Sequence, residues 1–342
     1  MNIFEFLSIF GDFYFWNFFF LFLIYFFAFL KEKEREKNKW MIFLLIPTFY
    51  LAAFFATSLK IVFKVERPCA GLPSCPTSYA FPSVHAAIVF SLMTSVLLVK
   101  RKKRYLSLLI FPFLVSYSRI ALNYHSLFDI LGGAVLGTFI AYLNFTFYKK
   151  FLQPIKFGNY EMRKLIHIST FSLIFFLRFI PLNLIKVLIG CALVLFSLSE
   201  ILRLKNRRFP FFYDLTIHCL QKEERKSFAF SPLLYGISIL ILLNLNFYLF
   251  YAGFVALVIG DAFAGLIGKN FGKKKLFNQK TLEGSLSFFL SSFCFYLFYF
   301  PLNYSLILAL IATFIEHFCK RGENLILPLS TSFLTFLLLN FF

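Results

Sequence analysis

Long apolar segments constrain this chain more than any other feature of its sequence. Hydrophobic residues make up 60% of the 342 residues, and they recur in segments of about 20 along the whole length. A helix of about 20 residues crosses the hydrocarbon core of a bilayer. The pattern predicts an all-α polytopic membrane protein, with about 12 transmembrane helices in two helical bundles. The predicted helices are 12–30, 41–63, 82–99, 105–118, 126–147, 164–180, 184–200, 229–246, 249–265, 284–300, 303–318 and 327–342.

The positive charge of the chain is concentrated in its short loops. The formal net charge is +19, with Lys and Arg clustered between the apolar segments. Because this is the positive-inside pattern, membrane topology accounts for the charge and no nucleic-acid partner is expected. Alternating helices would place these loops in the cytoplasm, and the N-terminus and loops 64–81 and 119–125 outside a cell membrane. The charged loops are Lys31–Lys39, Lys100–Arg104, Lys149–Lys150, Arg203–Lys226, Lys269–Lys280 and Lys320–Arg321.

Three short runs in the first half hold polar residues that suit a phosphate ester. A phosphate monoester is dianionic near neutral pH, so its site must supply fixed positive charge. A serine at a helix start adds a hydroxyl and free N–H groups that bind anions. The runs read Lys60-x6-Arg67-Pro68, Pro82-Ser83-Val84-His85 and Ser118-Arg119-x5-His125-x3-Asp129. The predicted phosphate-binding residues are Lys60, Arg67, Ser83 and Arg119.

Two histidines and a carboxylate supply the predicted catalytic residues. His125 and Asp129 are four residues apart, which would put them on one helix face. A carboxylate behind an imidazole fixes its tautomer, so His125 is the predicted nucleophile, forming a phosphohistidine. His85 is then the predicted general acid, which protonates the leaving alcohol and later activates water.

These runs resemble the signature of the phosphatidic acid phosphatase type 2 family, which shares a superfamily with the vanadium haloperoxidases. The resemblance spans roughly residues 50 to 147 and implies the same histidine roles without a metal or other cofactor. Val84 stands where the family usually has Gly, which narrows the space for a substrate. The family more often has six spans, whereas five are visible unless residues 3–11 form a short re-entrant piece. Haloperoxidases are soluble, so a chain this apolar favours the phosphatases.

Two cysteines lie in the predicted outer loop between Arg67 and Pro82. Cys69 and Cys75 could form a disulfide in an oxidising compartment, or they could remain free thiols. The sequence does not choose between these two states.

The second half carries a different set of polar residues. Asp261 follows the apolar run Phe254–Ile259, and a carboxylate at such a depth costs about 2.5–3.5 kcal/mol, which predicts a function. Glycines that would form a turn follow it, then a lysine cluster and Lys280-Thr281. An acid, a glycine-rich turn and lysines together indicate a metal–triphosphate site. No Walker A loop is present.

This half resembles the dolichol kinase and phytol kinase family of CTP-dependent lipid kinases, over about residues 158–342. The resemblance implies phosphoryl transfer from CTP to a membrane alcohol, with Mg²⁺ on Asp261 and phosphates on Lys280. Glu323-Asn324 stands where the family tends to have Asp-Asn, Glu161 and His167 are plausible helpers, and Glu316 fits an ordinary helix end. A membrane cytidylyltransferase is the nearest competing function. The candidate nucleotide and metal residues are Asp261, Lys280, Thr281, Glu283, Gly284, Asn324, Arg163 and Lys164.

Together the two halves predict a two-domain enzyme of lipid-carrier or phospholipid metabolism. Residues 1–150 would be a phosphatase domain acting outside on a lipid phosphate or polyprenyl diphosphate. Residues 151–342 would be a CTP-dependent kinase domain acting on a lipid alcohol in the cytoplasm. Two alternatives stay open: a pair of phosphatidate phosphatase and diacylglycerol kinase activities, and a lipid transporter or scaffold with an inactive second domain.

Overall fold

Helices form almost all of the regular structure of the protein. The computed structural model describes residues 3–73, 75–177, 179–209, 212–217, 220, 224, 226–276, 280–319 and 322–341, so the predicted charged pair Lys320–Arg321 lies outside them. Within the described residues the α-helices are α1 Ile3–Ile9, α2 Phe13–Phe29, α3 Glu32–Asn38, α4 Ile46–Phe63, α5 Val84–Lys100, α6 Ile110–Ala121, α7 Leu127–Phe147, α8 Asn159–Ser169, α9 Leu173–Phe176, α10 Leu182–Leu204, α11 Phe212–Ile217, α12 Phe230–Leu242, α13 Phe247–Val255, α14 Asp261–Phe271, α15 Leu282–Tyr296, α16 Leu302–Phe318 and α17 Glu323–Phe341. Short π-helical segments, Met41–Leu45, Tyr148–Leu152 and Ala256–Gly260, extend α4 and α7 and join α13 to α14.

The all-helical, multi-pass character is confirmed, but the predicted count of about 12 spans is not. Within the described residues, five helical stretches are long and apolar enough to cross a membrane, or six if α1 and α2, bent by 49°, count as one. The prediction also counted shorter helices, such as α12 with 13 residues, which is about 20 Å long. Segment 164–180 is not one helix either, because a 3-10 turn at Thr170–Ser172 separates α8 from α9. The five stretches are Glu32–Phe63, Leu127–Leu152, Leu182–Leu204, Phe247–Phe271 and Glu323–Asn340.

The chain forms two compact units. The first consists of Met1–Phe26 and Lys33–Lys156, and the second of Phe27–Glu32 and Phe157–Phe342.

In the first unit, α7 lies directly on the backbone of α5. A Cβ atom on Gly133 would be 2.4 Å from the carbonyl oxygen of Ser83, and one on Gly137 would be 2.2 Å from that of Ala87. Only glycine at these two positions allows the helices to approach so closely. Further along α7, the buried Asn144 side chain donates hydrogen bonds to Leu44 O at 3.1 Å and Thr48 Oγ1 at 2.6 Å, which ties α7 to α4.

In the second unit, the continuous helical stretch Phe247–Phe271 runs through the core. Its hydrogen bonds to neighbouring helices include Tyr296 Oη to Ala252 O at 2.9 Å and Ser332 Oγ to Leu249 O at 2.8 Å. The glycine-rich turn predicted after Asp261 is wrong, because Gly265 and Gly268 both lie inside α14. They serve close packing instead: a Cβ atom on Gly268 would lie 2.9 Å from Thr281 Oγ1 at the start of α15.

Candidate active site

Two of the predicted phosphate-binding residues, Lys60 and Arg67, contact the same loop. Lys60, buried in the last turn of α4, donates hydrogen bonds to Ala80 O at 2.8 Å and to Tyr79 O. Arg67 donates through Nε to Ser78 O at 2.6 Å and through Nη2 to Ser78 Oγ at 2.9 Å. Both cations are thus held in place by the loop that precedes α5.

Arg67 also fixes the state of His125. Its Nη1 lies 2.9 Å from Tyr124 O and 3.2 Å from His125 Nε2. Since a guanidinium can only donate, Nε2 is the acceptor in this contact and carries the imidazole lone pair. The proton then sits on Nδ1, which faces Asp129 Oδ2 at 3.6 Å. Burial, followed by the charges of Arg67 and Lys60, lowers the pKa of His125 to about 2, so the ring is neutral at neutral pH.

His125 and Asp129 are neighbours, but not on one helix face as the sequence predicted. The helix α7 begins at Leu127, so His125 lies just before it. The reason is a capping box: Asp129 Oδ2 accepts from Ser126 N at 2.7 Å, while Ser126 Oγ accepts from Asp129 N at 3.3 Å. Because Ser126 is the N-cap, the helix starts one residue later, and the carboxylate serves both the cap and His125.

Ser83, His85 and Arg119 complete the predicted set. The buried Ser83 caps α5, accepting from Ala86 N at 3.5 Å, and its own N–H donates to Asp129 O at 3.0 Å. His85 lies in the first turn of α5. Arg119 lies in the last turn of α6, whereas the sequence predicted it in the loop after that helix. The Arg119 guanidinium stacks on the Tyr124 ring at 4.7 Å and donates to Ser8 Oγ. The sequence missed Ser8, because no motif links it to Arg119, 111 residues away.

Cys69 and Cys75 form a disulfide in the loop between Arg67 and Ser78. The bridge therefore closes the segment that holds the Arg67 guanidinium. Of the two states that the sequence left open, this structure has the bonded one.

Acidification should destabilise the fold through His125. The pKa of its imidazole is about 2 when folded and about 6.5 when unfolded, so between these values only the unfolded state takes up the proton. The free energy of unfolding should therefore fall as the pH drops below about 6.5, by about 2 kcal/mol at about pH 5. Chemical unfolding in detergent at neutral pH and about pH 5 measures this loss. A His125→Asn variant should lose less, and an equal loss in both proteins would contradict the prediction.

A cavity of about 330 Å³, with charged side chains on its wall, lies in the second unit and is lined by residues of α8 and α14 to α17. Lys164 Nζ pairs with Asp261 Oδ2 at 2.7 Å, and His167 Nδ1 lies 3.5 Å from the same oxygen. Lys280 Nζ pairs with Glu316 and lies 3.0 Å from Glu323 Oε2. Burial acts to lower the pKa of Lys280, but Glu323 and Glu316 outweigh it and hold that pKa above its usual value. The cavity thus holds several charges of both signs in fixed pairs.

The structure separates the eight nucleotide and metal candidates into two groups. Those that line the cavity are Lys164, Asp261, Lys280, Thr281 and Gly284. The other three do not. Glu283 accepts from Lys274 N, whereas Arg163 Nη2 and Asn324 Nδ2 both donate to Ser231 Oγ.

Two acidic residues that pair with lysines of this cavity were missed or undervalued by the sequence. Glu316 does lie in the last turn of α16, as the sequence predicted, but its side chain is buried and pairs with Lys280, which the sequence did not predict. Glu161 was only a possible helper, yet its buried carboxylate accepts from Lys269 Nζ at 2.6 Å. The lysine partners are 36 residues from Glu316 and 108 residues from Glu161. Such separations leave no periodic signal in a sequence, so only the fold reveals these pairs.

One protein-family model matches part of the first unit. The PAP2 superfamily model matches residues 41–153. The chain is 35% identical over 82 residues to an undecaprenyl-diphosphatase from Sulfolobus acidocaldarius, covering 24% of this chain and 40% of that protein. It is 33% identical over 115 residues to dolichyldiphosphatase 1 from Rhinolophus ferrumequinum, covering 28% and 48%. The chain thus spans less than half the length of these two relatives. No solved structure matches it.

A third relative is covered far more completely. The uncharacterized protein MJ1137 from Methanocaldococcus jannaschii is 31% identical over 172 residues, which is 48% of this chain and 83% of that protein. The chain therefore belongs to the family of this Methanocaldococcus jannaschii protein, with a PAP2-superfamily region at residues 41–153.

Proposed function

We propose that the first unit is a membrane lipid phosphatase that works through a phosphohistidine on His125. The contact between Arg67 Nη1 and His125 Nε2, at 3.2 Å, carries this proposal. It places a cation within hydrogen-bond distance of the nitrogen whose lone pair would attack. A phosphate bound by Arg67 would therefore lie next to its nucleophile, which is the arrangement that favours reaction.

The proposed reaction has two balanced steps. His125 Nε2 attacks phosphorus, the bond to the leaving oxygen breaks, and His85, protonated once the anionic phosphate is bound beside it, gives that oxygen its proton. Asp129, facing Nδ1 at 3.6 Å, stabilises the positive charge that the imidazole gains. Water then attacks phosphorus, His85 accepts the proton from water, and inorganic phosphate leaves with neutral His125 restored. Neither step calls on a metal, since Lys60, Arg67 and Arg119 supply the positive charge.

Polyprenyl diphosphates are the proposed substrates, ahead of phosphatidate. Two relatives of the chain are named as diphosphatases, one for an undecaprenyl and one for a dolichyl diphosphate.

The proposed phosphatase site is on the outer face of the membrane. His85 is at one end of α5 and the basic loop beginning at Lys100 is at the other, which would leave His85 on the side away from the cytoplasm.

Phosphate release tests this proposal directly. The purified protein in detergent, with a metal chelator, should release phosphate from a polyprenyl diphosphate faster than from phosphatidate. Release that stops with the chelator and returns with Mg²⁺ would contradict a metal-free site. Preference for phosphatidate would instead favour the alternative substrate.

For the second unit we propose phosphoryl transfer from CTP to a lipid alcohol. The cavity with Lys164, Lys269 and Lys280 on its wall supports this, since three cations suit a triphosphate. Lys269 lies in the last turn of α14, and the basic segment that follows it continues to Lys280. This favours the cytoplasmic face, where nucleotides are available. The competing function, a cytidylyltransferase, would use the same cations.

The residues of this cavity fit a magnesium ion. Mg²⁺ is held in proteins by one or two carboxylates together with water and substrate phosphates. Asp261 and Glu323 both line the cavity and would hold the ion, which would supply charge neutralisation to the phosphates. Gly265 leaves space beside them, because a Cβ atom there would come within 2.6 Å of Lys164 Cε.

Labelled CTP tests the second proposal. With Mg²⁺ and a polyprenol or diacylglycerol, the protein should form a lipid that carries the γ-phosphate label. If the lipid carries label only when the label is in the α-phosphate of CTP, the activity is that of a cytidylyltransferase. No transfer across a panel of alcohols would favour an inactive second unit.

A further inference from the structure

The corner between α1 and α2 lies outside the matched residues 41–153 but reaches the phosphatase site. Helix α1 ends at Ile9, and Gly11 N donates to Ser8 O at 3.0 Å. Asp12 then starts α2, its carboxylate accepting from Tyr14 N at 2.7 Å. The chain therefore turns sharply at Gly11 and Asp12, and we call residues 8–12 the N-terminal corner.

Aromatic contacts fix α1 along α6, the helix whose last turn contains Arg119. The rings of Phe4 and Tyr117 are 6.0 Å apart, and those of Phe10 and Phe111 are 5.7 Å apart. Trp16 Nε1 on α2 donates to Phe10 O at 2.8 Å, which closes the corner from its other side. These contacts hold the corner at a defined place on α6.

Ser8 lies where it can hold Arg119. Its Oγ accepts from Arg119 Nη1, and both residues are buried. The guanidinium is also stacked on Tyr124, the residue next to His125. Its buried Nε has no hydrogen-bond partner among the described residues, so this donor remains available to an anion.

Gly11 lacks a side chain where the His85 side chain packs against it. A Cβ atom on Gly11 would be 2.8 Å from His85 Cδ2 and 2.9 Å from Val115 Cγ1. Contacts below about 3 Å force one of the groups to move, so a side chain at this position would displace the imidazole. Ser8 and Gly11, three residues apart, thus touch two different members of the phosphatase set.

We infer that the N-terminal corner is a positioning element of the phosphatase site, in which Ser8 orients Arg119 and Gly11 leaves the space that His85 occupies. This inference rests on the proposed phosphatase function. Ser8 and Gly11 touch no reacting atom; they act through Arg119 and His85.

Variants of Ser8 test the first half of this inference. Because a hydrogen bond to a charged group is lost, Ser8→Ala should lower kcat/KM for a polyprenyl diphosphate by about tenfold, mainly through KM. Ser8→Thr keeps the hydroxyl and should retain most of the activity. Asn17→Ala is the matched control, since it removes a hydrogen bond to Tyr50 from the same N-terminal segment, away from Arg119. Equal losses in all three variants, or none in Ser8→Ala, would overturn the role of Ser8.

Two substrates with different leaving groups test the role of Gly11. Gly11→Ala should lower kcat for a lipid monophosphate, whose alkoxide needs a proton, about tenfold or more. For a nitrophenyl phosphate, whose leaving group departs unprotonated, the loss should be much smaller. Equal losses on both substrates would mean a general packing defect and overturn the role of Gly11. A wild-type protein that releases no phosphate at all would overturn the proposed function itself, whereas an active wild type matched by both variants would overturn only this inference.

Discussion

Replacing His125 with alanine should abolish phosphate release from a polyprenyl diphosphate, with kcat falling by roughly 10⁴- to 10⁶-fold. No other neutral imidazole in the described part of the first unit has both a carboxylate at one ring nitrogen and a guanidinium at the other. The cations would still bind the phosphate, so KM should change far less than kcat. Phosphate release by the purified variant, followed over hours, measures the loss.

A trapping experiment separates loss of the nucleophile from loss of the fold. Rapid acid-free denaturation of the wild type during turnover should leave a phosphate on the protein that is stable to base and labile to acid, as a phosphohistidine is. The His125→Ala variant should carry none, while Asp129→Asn should still carry some, since the nucleophile remains. An undiminished rate in His125→Ala would show that a different group attacks phosphorus.

Replacing Asp261 with alanine should destabilise the second unit by about 3–5 kcal/mol and end any phosphoryl transfer there. The carboxylate lies 2.7 Å from Lys164 Nζ, and both side chains are less than one tenth exposed. Without Asp261, the lysine charge would stay buried without its counter-ion, which is far more costly than losing an exposed pair. Thermal or chemical unfolding in detergent, alongside transfer from labelled CTP, measures both effects.

The double variant Lys164→Met with Asp261→Leu distinguishes stability from chemistry. It removes both charges, so most of the lost stability should return, while phosphoryl transfer should not. Lys186→Met is the matched control, because that lysine pairs with Asn244 at an exposed position and should change stability by less than about 0.5 kcal/mol. A stable Asp261→Ala protein would show that the ion pair contributes little. Recovery of transfer in the double variant would exclude Asp261 from the reaction.

The sequence predicted the helical class, and it predicted that the polar residues of the three runs in the first half lie near one another. Long apolar segments leave few alternatives to helices. Within each run the residues are close in sequence, such as Lys60 with Arg67 and His125 with Asp129, so errors in helix boundaries do not separate them. The local geometry was less predictable. A spacing of four suggested one helix face, but the competing choice of Ser126 as N-cap placed His125 before the helix.

Contacts between distant segments could not be predicted from the sequence. Ser8 reaches Arg119 across 111 residues, and Lys280 reaches Glu316 across 36, with no periodic pattern connecting either pair. The glycines after Asp261 were equally ambiguous. Gly265 and Gly268 suit a turn by propensity, but tertiary packing against α8 and α15 favours a helix.

The glycine contact between α5 and α7 has a consequence for how such a protein can adapt to different lipids. Because Gly133 and Gly137 rest on main-chain atoms of α5, the distance between the two histidine-bearing segments does not depend on any side chain that faces lipid. Residues such as Phe139 and Leu143, both more than half exposed, can therefore change with bilayer thickness or composition at little cost to the chemistry. Bulky replacements at the two glycines, in contrast, would be excluded in every membrane.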